Sequence, residues 1–292
     1  MTVLVGLGPL DDHSTIEFAA TLARSDGQDL AVVSVVPAPW PTPVSRGTDR
    51  EYAEWAAEQG RAASARAREF LDEHCQGVTS TTSWVRGRSA PSALRREAAR
   101  IGADLIVLGS SRTAGRIALG STADALLHSS PIPVAIGTHG YQAPPDGVIG
   151  RATVAFRGDA PSRRALRRTA EVCLRAGAAL RVVTFAVASQ GMFTAAVGRS
   201  ERIVAAQWID QVGVEQARAV AELADLGIDP DEVEQSVAQG ADWPKALQRV
   251  SWQPDDILVV GSSREGRLSR LFLGPTGTRI VRAAPVPMVV VR

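Results

Sequence analysis

The chain has 292 residues, of which 45% are hydrophobic, and a formal net charge of +1 from 32 basic and 31 acidic side chains. This length fits two domains, since soluble domains usually take roughly 100 to 200 residues each. A near-neutral charge provides no broad field for attracting nucleic acid or an anionic membrane, so we expect neither as a partner.

The start of the chain, MTVLVGLGPLDD, lacks a basic region before an apolar stretch, and no later segment approaches the roughly 18 apolar residues of a membrane span. Cys75 and Cys173 stand alone, without the paired spacing of a disulfide framework or metal site. The four histidines are also scattered. We therefore expect a cytoplasmic protein without a metal site.

Along the first half, short β-branched runs alternate with segments of helical spacing. The predicted strands are 3–7, 30–36, 78–85, 105–108 and 134–136. A first helix carries Ile16, Ala19, Ala20 and Ala23 on one face, and a longer second helix carries Tyr52, Trp55, Ala56, Gln59, Ala63, Ala67, Phe70 and Leu71. We expect the tryptophans, such as Trp55, Trp208, Trp243 and Trp252, in the core or in a domain contact rather than in a stacking platform.

The second half of the chain repeats the first. DDILVVGSSREGRLSRLFLGPTGTRIVRAAPVPMVVV begins at Asp255, and ADLIVLGSSRTAGRIALGSTADALLHSSPIPVAI begins at Ala103. The offset between their first glycines is 261 − 109 = 152 and that between their first prolines is 285 − 131 = 154, so the loop of the first copy is two residues shorter. A turn-rich stretch separates the copies, which predicts domains at 1–140 and 151–292 with a linker at 141–150.

Strands such as LIVLG and ILVVG are apolar at every position and therefore need helices on both faces of their sheet. Right-handed crossovers then give a doubly wound α/β fold. We predict two domains, each with a doubly wound parallel five-stranded sheet, related by internal duplication. Asp104, Asp255 and Asp256 precede strands and are interpreted as turn or helix-end residues.

In open parallel sheets, ligands bind beyond the carboxyl ends of the strands. Each copy has a glycine at the end of its fourth strand and a second glycine before the next helix, whose free N–H groups favour an anion. The predicted binding residues in the first copy are Gly109, Ser110, Ser111, Arg112, Gly120, Ser121 and Thr122.

The stretches DLIVLGSSR…LGSTADALLHSSPIPVAI and DILVVGSSR…RLFLGPTGTRIVRAAPVPMVVV resemble the universal stress protein family, in its tandem form with two domains in one chain. The resemblance covers essentially the whole chain. It implies an adenine nucleotide alpha hydrolase-like fold in each half and a role in the stress response. Some members of the family bind ATP and others do not.

Family members that bind ATP carry a motif similar to G-x2-G-x9-G-[ST] across this loop. In the second copy, Gly261 and Gly274 keep the spacing, but Arg264 replaces the middle glycine and Pro275 the hydroxyl residue. A glycine there permits positive φ and close approach of a phosphate, and a proline supplies neither a hydroxyl nor an N–H. The first copy keeps Gly120 and Ser121, but its middle position is Arg112, whose guanidinium could contact a phosphate instead.

The same relatives carry an aspartate for adenine at the end of the first strand, where this chain has Gly8 and Arg157. Neither supplies a carboxylate, so the polar group that reads adenine is missing in both copies. Arg157 and Arg264 are interpreted either as solvated surface residues or as an anion site.

The resemblance thus implies a binding and regulatory module, with weak or absent ATP binding and no turnover. The alternative is an ATP sensor acting through the first copy, with ATP as its only cofactor. A nucleotide hydrolase is a further alternative and would use the cluster Asp11, Asp12 and His13. The glycines are also compatible with a purely structural role in which no ligand binds.

Partner choice follows from the last strand of each copy. In the family, this strand pairs with its counterpart from another domain. We therefore predict that residues 132–137 and 286–291 pair antiparallel within the chain. A homodimer of the whole chain and a separate protein partner are both compatible with this arrangement.

Overall fold

The computed structural model describes residues 1–8, 13–39, 46–110, 118–187, 199–262 and 271–292. The described chain forms two compact units, the first ending at Val148 and the second beginning at Ile149.

The first unit contains five parallel strands and four helices among its described residues. In chain order these are β1 (Thr2–Leu7), α1 (Ser14–Ser25), β2 (Asp29–Pro37), α2 (Arg46–His74), β3 (Ser80–Gly87), α3 (Ala90–Ile101), β4 (Leu105–Gly109), α4 (Ser121–Leu127) and β5 (Val134–Gly137). The strand order is β3-β2-β1-β4-β5, which is the doubly wound order with β1 at the centre.

The second unit repeats this plan. Its elements are β6 (Arg151–Ala155), α5 (Ala160–Ala176), β7 (Ala179–Val187), α6 (Arg199–Ala221), β8 (Glu234–Gly240), α7 (Trp243–Leu247), β9 (Asp256–Gly261), α8 (Pro275–Ala283) and β10 (Met288–Val291). Its strand order, β8-β7-β6-β9-β10, is that of the first unit, and all four pairings are parallel. The predicted duplication is confirmed, and each unit contributes five parallel strands in the predicted doubly wound order.

Burial explains why the strands read as continuous apolar runs. Val3, Leu4 and Val5 are at most 1% exposed, although successive side chains of a strand point to opposite faces. Both faces of the sheet are therefore covered, and α1 and α3 both pack against β1. Helix α1 contributes its predicted apolar face, with Ile16 completely buried.

Two details differ from the sequence predictions. Strand β3 begins at Ser80 rather than at Val78, because the chain turns through Gly77 with a φ of 81°. A core position was wrong for Trp55 and Trp208, which are 48% and 44% exposed. The buried face of α2 is instead built from small residues such as Ala56 and Ala67, which let the helix lie close to the sheet.

Within the described ranges, we find no helix that combines the length and the apolar character needed to cross a membrane.

Candidate functional site

In the first unit, the predicted site begins where β4 and β5 end side by side. Gly109 and Gly137 are register partners at these two ends. The Ser110 N–H donates to the Gly137 carbonyl at 3.0 Å, and the Ser110 hydroxyl oxygen accepts from the His139 N–H at 3.0 Å. The Ser110 hydroxyl therefore already fixes the chain leaving β5. Ser111 and Arg112 lie outside the described residues.

The second half of that predicted site is the start of α4. Gly120 is the N-cap residue with extended backbone angles, and Ser121 and Thr122 are the first two helical residues. Beyond its chain neighbours, a methyl group added at Gly120 would meet no atom of the described residues within 4 Å. Neither φ nor packing against the described residues requires glycine here, so they leave the space beside Gly120 open.

The second unit has a cleft of about 120 Å³ at the carboxyl ends of its strands, which we call the second-unit cleft. Ala155, Phe156 and Arg157 at the end of β6, Phe185 on β7 and Val260 with Gly261 on β9 line it, together with Asp159, Pro161, Ser162, Trp243, Gly274, Thr276, Gly277 and Ile280. The equivalent loop glycines Gly261 and Gly274 therefore do meet at one site, as the position beyond a parallel sheet predicts.

The polar groups of the second-unit cleft are centred on the start of α5. Asp159 is the N-cap residue, and its Oδ1 accepts from the Ser162 N–H at 3.0 Å. Its other oxygen, Oδ2, lies 2.9 Å from Nη2 of Arg157. The Arg157 side chain is 57% exposed, so it stands at the mouth of the cleft. The position that carries an adenine-binding aspartate in ATP-binding relatives is thus occupied by a cation held by a helix cap.

Helix α8 starts at the same cleft with one donor fewer than usual. Gly274 is its N-cap residue and Pro275 its first residue, and the Thr278 N–H donates to the Gly274 carbonyl at 3.0 Å. Proline is well suited to a first helical turn but has no N–H. Pro275 therefore removes one of the backbone donors that a phosphate would use at this helix end.

Gly261 has a packing role that needs no ligand. A methyl group added there would lie 2.9 Å from the Pro161 carbonyl oxygen and 3.3 Å from Cβ of Ala165. The glycine lets the first turn of α5 lie directly against the end of β9. Its presence is accounted for by packing alone, which agrees with the structural interpretation of the loop glycines.

A buried charged network lies at the opposite, amino ends of the same strands. Arg151 holds Asp256 through two hydrogen bonds of 2.8 and 2.9 Å, and Arg181 reaches the same carboxylate at 3.2 Å. Arg181 also donates to the Thr153 hydroxyl and the Ser251 carbonyl. The side chains of Arg181 and Asp256 are 1% and 0% exposed. Burial lowers the pKa of Arg181 below its ordinary value.

The interpretation of Asp256 as a turn residue is incomplete. Its Oδ2 does accept from the Gln253 N–H at 2.9 Å in the turn before β9, but the same carboxylate also neutralises Arg151 on β6 and Arg181 on β7. Sequence reasoning missed it because its partners are 105 and 75 residues away in the chain.

The remaining candidate groups are described only in part. Both cysteines are buried, and burial raises the pKa of the Cys75 thiol to about 11 and that of Cys173 to about 12. His13 packs against Phe70 with 4.5 Å between ring centres. Asp11 and Asp12 lie outside the described residues. The described ranges contain no group of three or more His, Cys, Asp or Glu side chains arranged to hold a metal ion.

The architecture agrees with the comparisons to known proteins. The model of the universal stress protein family matches residues 1–136 and 149–292. The chain belongs to the universal stress protein family. Universal stress proteins of Mycobacterium tuberculosis H37Rv and Mycobacterium bovis are each 33% identical to it over 299 aligned positions, covering 99% of this chain and 99% of each relative.

A solved universal stress protein of Archaeoglobus fulgidus has the same fold. It superimposes with a TM-score of 0.61 at 17% sequence identity, and the match covers 100% of this chain and 98% of that one. Together with the two family matches, this identifies the chain as a tandem universal stress protein.

The cleft of this universal stress protein contains residues that sequence reasoning did not name as a site. Phe156, Phe185 and Trp243 come from three separate segments and meet only in the folded unit. Phe156 could have been named from the sequence, because it directly precedes Arg157, which aligns with the adenine-binding position of the family. Trp243 is the first residue of α7, and nothing in its local sequence pattern indicates that it lines a cleft with residues of β6.

Proposed function

We propose that this universal stress protein is a stress-response binding and regulatory module that works through interactions, with weak or absent ATP binding and no chemical turnover. The observation that carries the proposal is the second-unit cleft, which Arg157 lines at the position that the resemblance gives to the adenine-binding aspartate. Beside the cleft, α8 begins with Pro275 at the position of the hydroxyl residue. Its volume of about 120 Å³ is well below the roughly 300 to 1,000 Å³ of pockets that enclose drug-sized ligands.

The described part of the first unit supports the same proposal less directly. Gly8 follows β1 where a carboxylate would be needed for adenine, and the Ser110 hydroxyl already accepts from the His139 N–H. The open start of α4 at Gly120 favours the second candidate function, an ATP sensor acting through the first unit. That function requires the Arg112 loop to supply the missing phosphate contacts.

Calorimetric titration of the full chain with ATP and Mg²⁺ separates the two candidates. We expect no saturable heat from the wild-type chain or from an Arg112→Gly variant that restores the middle glycine of the motif. Saturable heat in the wild type supports the sensor instead. Saturable heat only in Arg112→Gly shows that Arg112 alone closes the first site. Release of ADP or AMP over hours of incubation would contradict the absence of turnover.

We further propose that the protein acts in the cytoplasm. Two buried free thiols suit a reducing compartment. We also propose that residues 132–137 and 286–291 pair antiparallel within the chain. A homodimer and a separate protein partner remain compatible with this proposal.

A further inference from the structure

We infer that the second-unit cleft binds a small carboxylate whose body is a single aromatic ring. The inference rests on the proposed function, since it gives a ligand class to a site that we propose does not hold ATP. It uses the volume of the cleft, the nature of its walls and the charge at its mouth.

The volume sets the size of the ligand. An engineered apolar cavity of roughly 150 Å³ holds benzene. The second-unit cleft has about 120 Å³, somewhat less than that cavity, which limits the body of a ligand to a single ring and requires its substituent to point outward. A purine with its ribose and three phosphates needs several times this space.

The residues that line the cleft determine which kind of ligand ring it favours. Three aromatic residues, Phe156, Phe185 and Trp243, line the cleft with Val260 and Ile280. Phe156 is only 2% exposed, so Phe185 and Trp243 supply most of the accessible aromatic surface. Aromatic walls favour a flat apolar ring, which can stack on one wall or meet it edge to face. A free inorganic phosphate gains nothing from such walls, because it has no apolar surface to bury.

The mouth sets the charge. In the described part of the chain, Arg157 forms an ion pair with Asp159 through one of its nitrogens, Nη2. A guanidinium has five N–H donors in a planar fork, so the remaining donors suit a second carboxylate. The two Asp159 oxygens already face the Ser162 N–H and Arg157. The cleft therefore offers donors to a ligand, and the Thr276 side chain lines the same space.

Benzoate is the probe for this inference, and benzamide is its neutral match in size and shape. We expect benzoate to titrate the full chain to saturation with a Kd on the order of 1 mM or tighter, as observed by protein NMR or calorimetry. Benzamide and inorganic phosphate are expected to bind at least about fivefold more weakly, because each lacks one of the two features that the cleft recognises.

Substitution of the exposed arginine tests the role of charge without touching the core. Arg157→Gln is expected to weaken benzoate binding about five- to tenfold, a modest factor because solvent screens an exposed cation. Arg157→Lys keeps the charge but loses the planar set of N–H donors, so its affinity for benzoate is expected to lie between those of the wild type and Arg157→Gln. The control is Arg66→Gln on the exposed face of α2 in the first unit, which is expected to bind benzoate as the wild type does.

Several results would overturn the inference. The first is a benzoate titration that does not saturate by about 20 mM, far above the Kd expected for such a site. The second is benzamide binding as tight as benzoate binding. The third is an Arg157→Gln variant that binds benzoate as well as Arg66→Gln does. Circular dichroism of each variant checks that it is folded. An ATP titration of the same samples keeps the two proposals apart. Saturable ATP binding contradicts the proposed function, whereas silence toward both ATP and benzoate removes only the aromatic carboxylate.

Discussion

At the scale of single residues, Asp256 shows how one buried carboxylate organises four strands. Its oxygens accept from Arg151 and Arg181, and Glu234 on β8 lies 3.4 Å from Arg151. Arg181 also lies over the Trp252 ring, 5.1 Å from its centre. The two guanidinium groups can be close together in the core because the carboxylates compensate them.

We expect Asp256→Asn to lower the free energy of unfolding by about 3 to 5 kcal/mol, because the buried Arg181 then keeps only the exposed Glu234 carboxylate, 3.8 Å away, as an opposite charge. Urea denaturation followed by circular dichroism measures the change. Asp72→Asn, at an exposed site on α2, is the matched control and is expected to change the free energy by less than about 0.5 kcal/mol. Equal effects of the two substitutions would show that the network contributes little.

At the scale of elements, replacing each of two glycines of the second unit by alanine is predicted to have opposite effects on stability. Gly261 ends β9 under the first turn of α5. Gly213 lies inside α6, where a methyl group would meet no atom of the described residues within 4 Å outside the helix's own backbone. The same substitution is therefore unfavourable at one site and favourable at the other.

Gly261→Ala is expected to destabilise the protein by about 1 to 3 kcal/mol, since the new methyl group presses on the Pro161 carbonyl, which belongs to backbone and cannot rotate away. Gly213→Ala is expected to stabilise it by about 0.5 to 1 kcal/mol, because alanine loses less conformational freedom in a helix. Thermal and urea unfolding of both variants test the pair. A neutral Gly261→Ala would mean that α5 shifts at no cost.

Elements with a strong local pattern could be predicted from sequence, and contacts between distant segments could not. The run LIVLG predicts β4 because every position is apolar and β-branched residues favour strands. Strand β3 was placed two residues early because the turn at Gly77 ends in Val78, which reads as part of the strand. Trp55 was misplaced because helical spacing gives the face of a residue only to within about one position on either side of the buried stripe.

The candidate site was predictable to a similar extent. The loop glycines were located because both copies show them at strand ends, and duplication provides an internal comparison. The aromatic walls from Phe156, Phe185 and Trp243 were not located, because they depend on how three segments pack. The Arg157–Asp159 pair could be predicted only in part. Asp159 lies two residues after Arg157 and is a strong N-cap residue, but its ion pair with Arg157 was not predicted.

At the scale of the whole molecule, the two copies keep one strand order and differ at the ends that carry ligands. The first unit has Gly8 and Ser121 where the second has Arg157 and Pro275. One chain of this universal stress protein therefore presents two equivalent scaffolds with different residues at the ends of their strands.

The proposed pairing of residues 132–137 with 286–291 predicts a pattern of amide exchange. Within its unit β5 pairs with β4, and alternate amides of a strand point away from one neighbour. If a second partner is present, all amides of Val134–Gly137 exchange slowly in the full chain. Strand β3, which pairs with β2 in the described residues, is the internal control and should show fast exchange at alternate amides. The same alternation in β5 would contradict the pairing.

The charged network and the second-unit cleft lie at opposite ends of the same strands, and this separation bears on how the protein can evolve. Asp256 anchors the sheet where β6 and β9 begin, while Arg157 and Gly261 follow or end those strands. A mutation that alters ligand chemistry at the exit ends leaves the anchor intact. Substitutions near the cleft can therefore change what this end of the fold recognises without weakening the network that stabilises the sheet. One half of a duplicated chain can acquire a new specificity in this way while it stays folded.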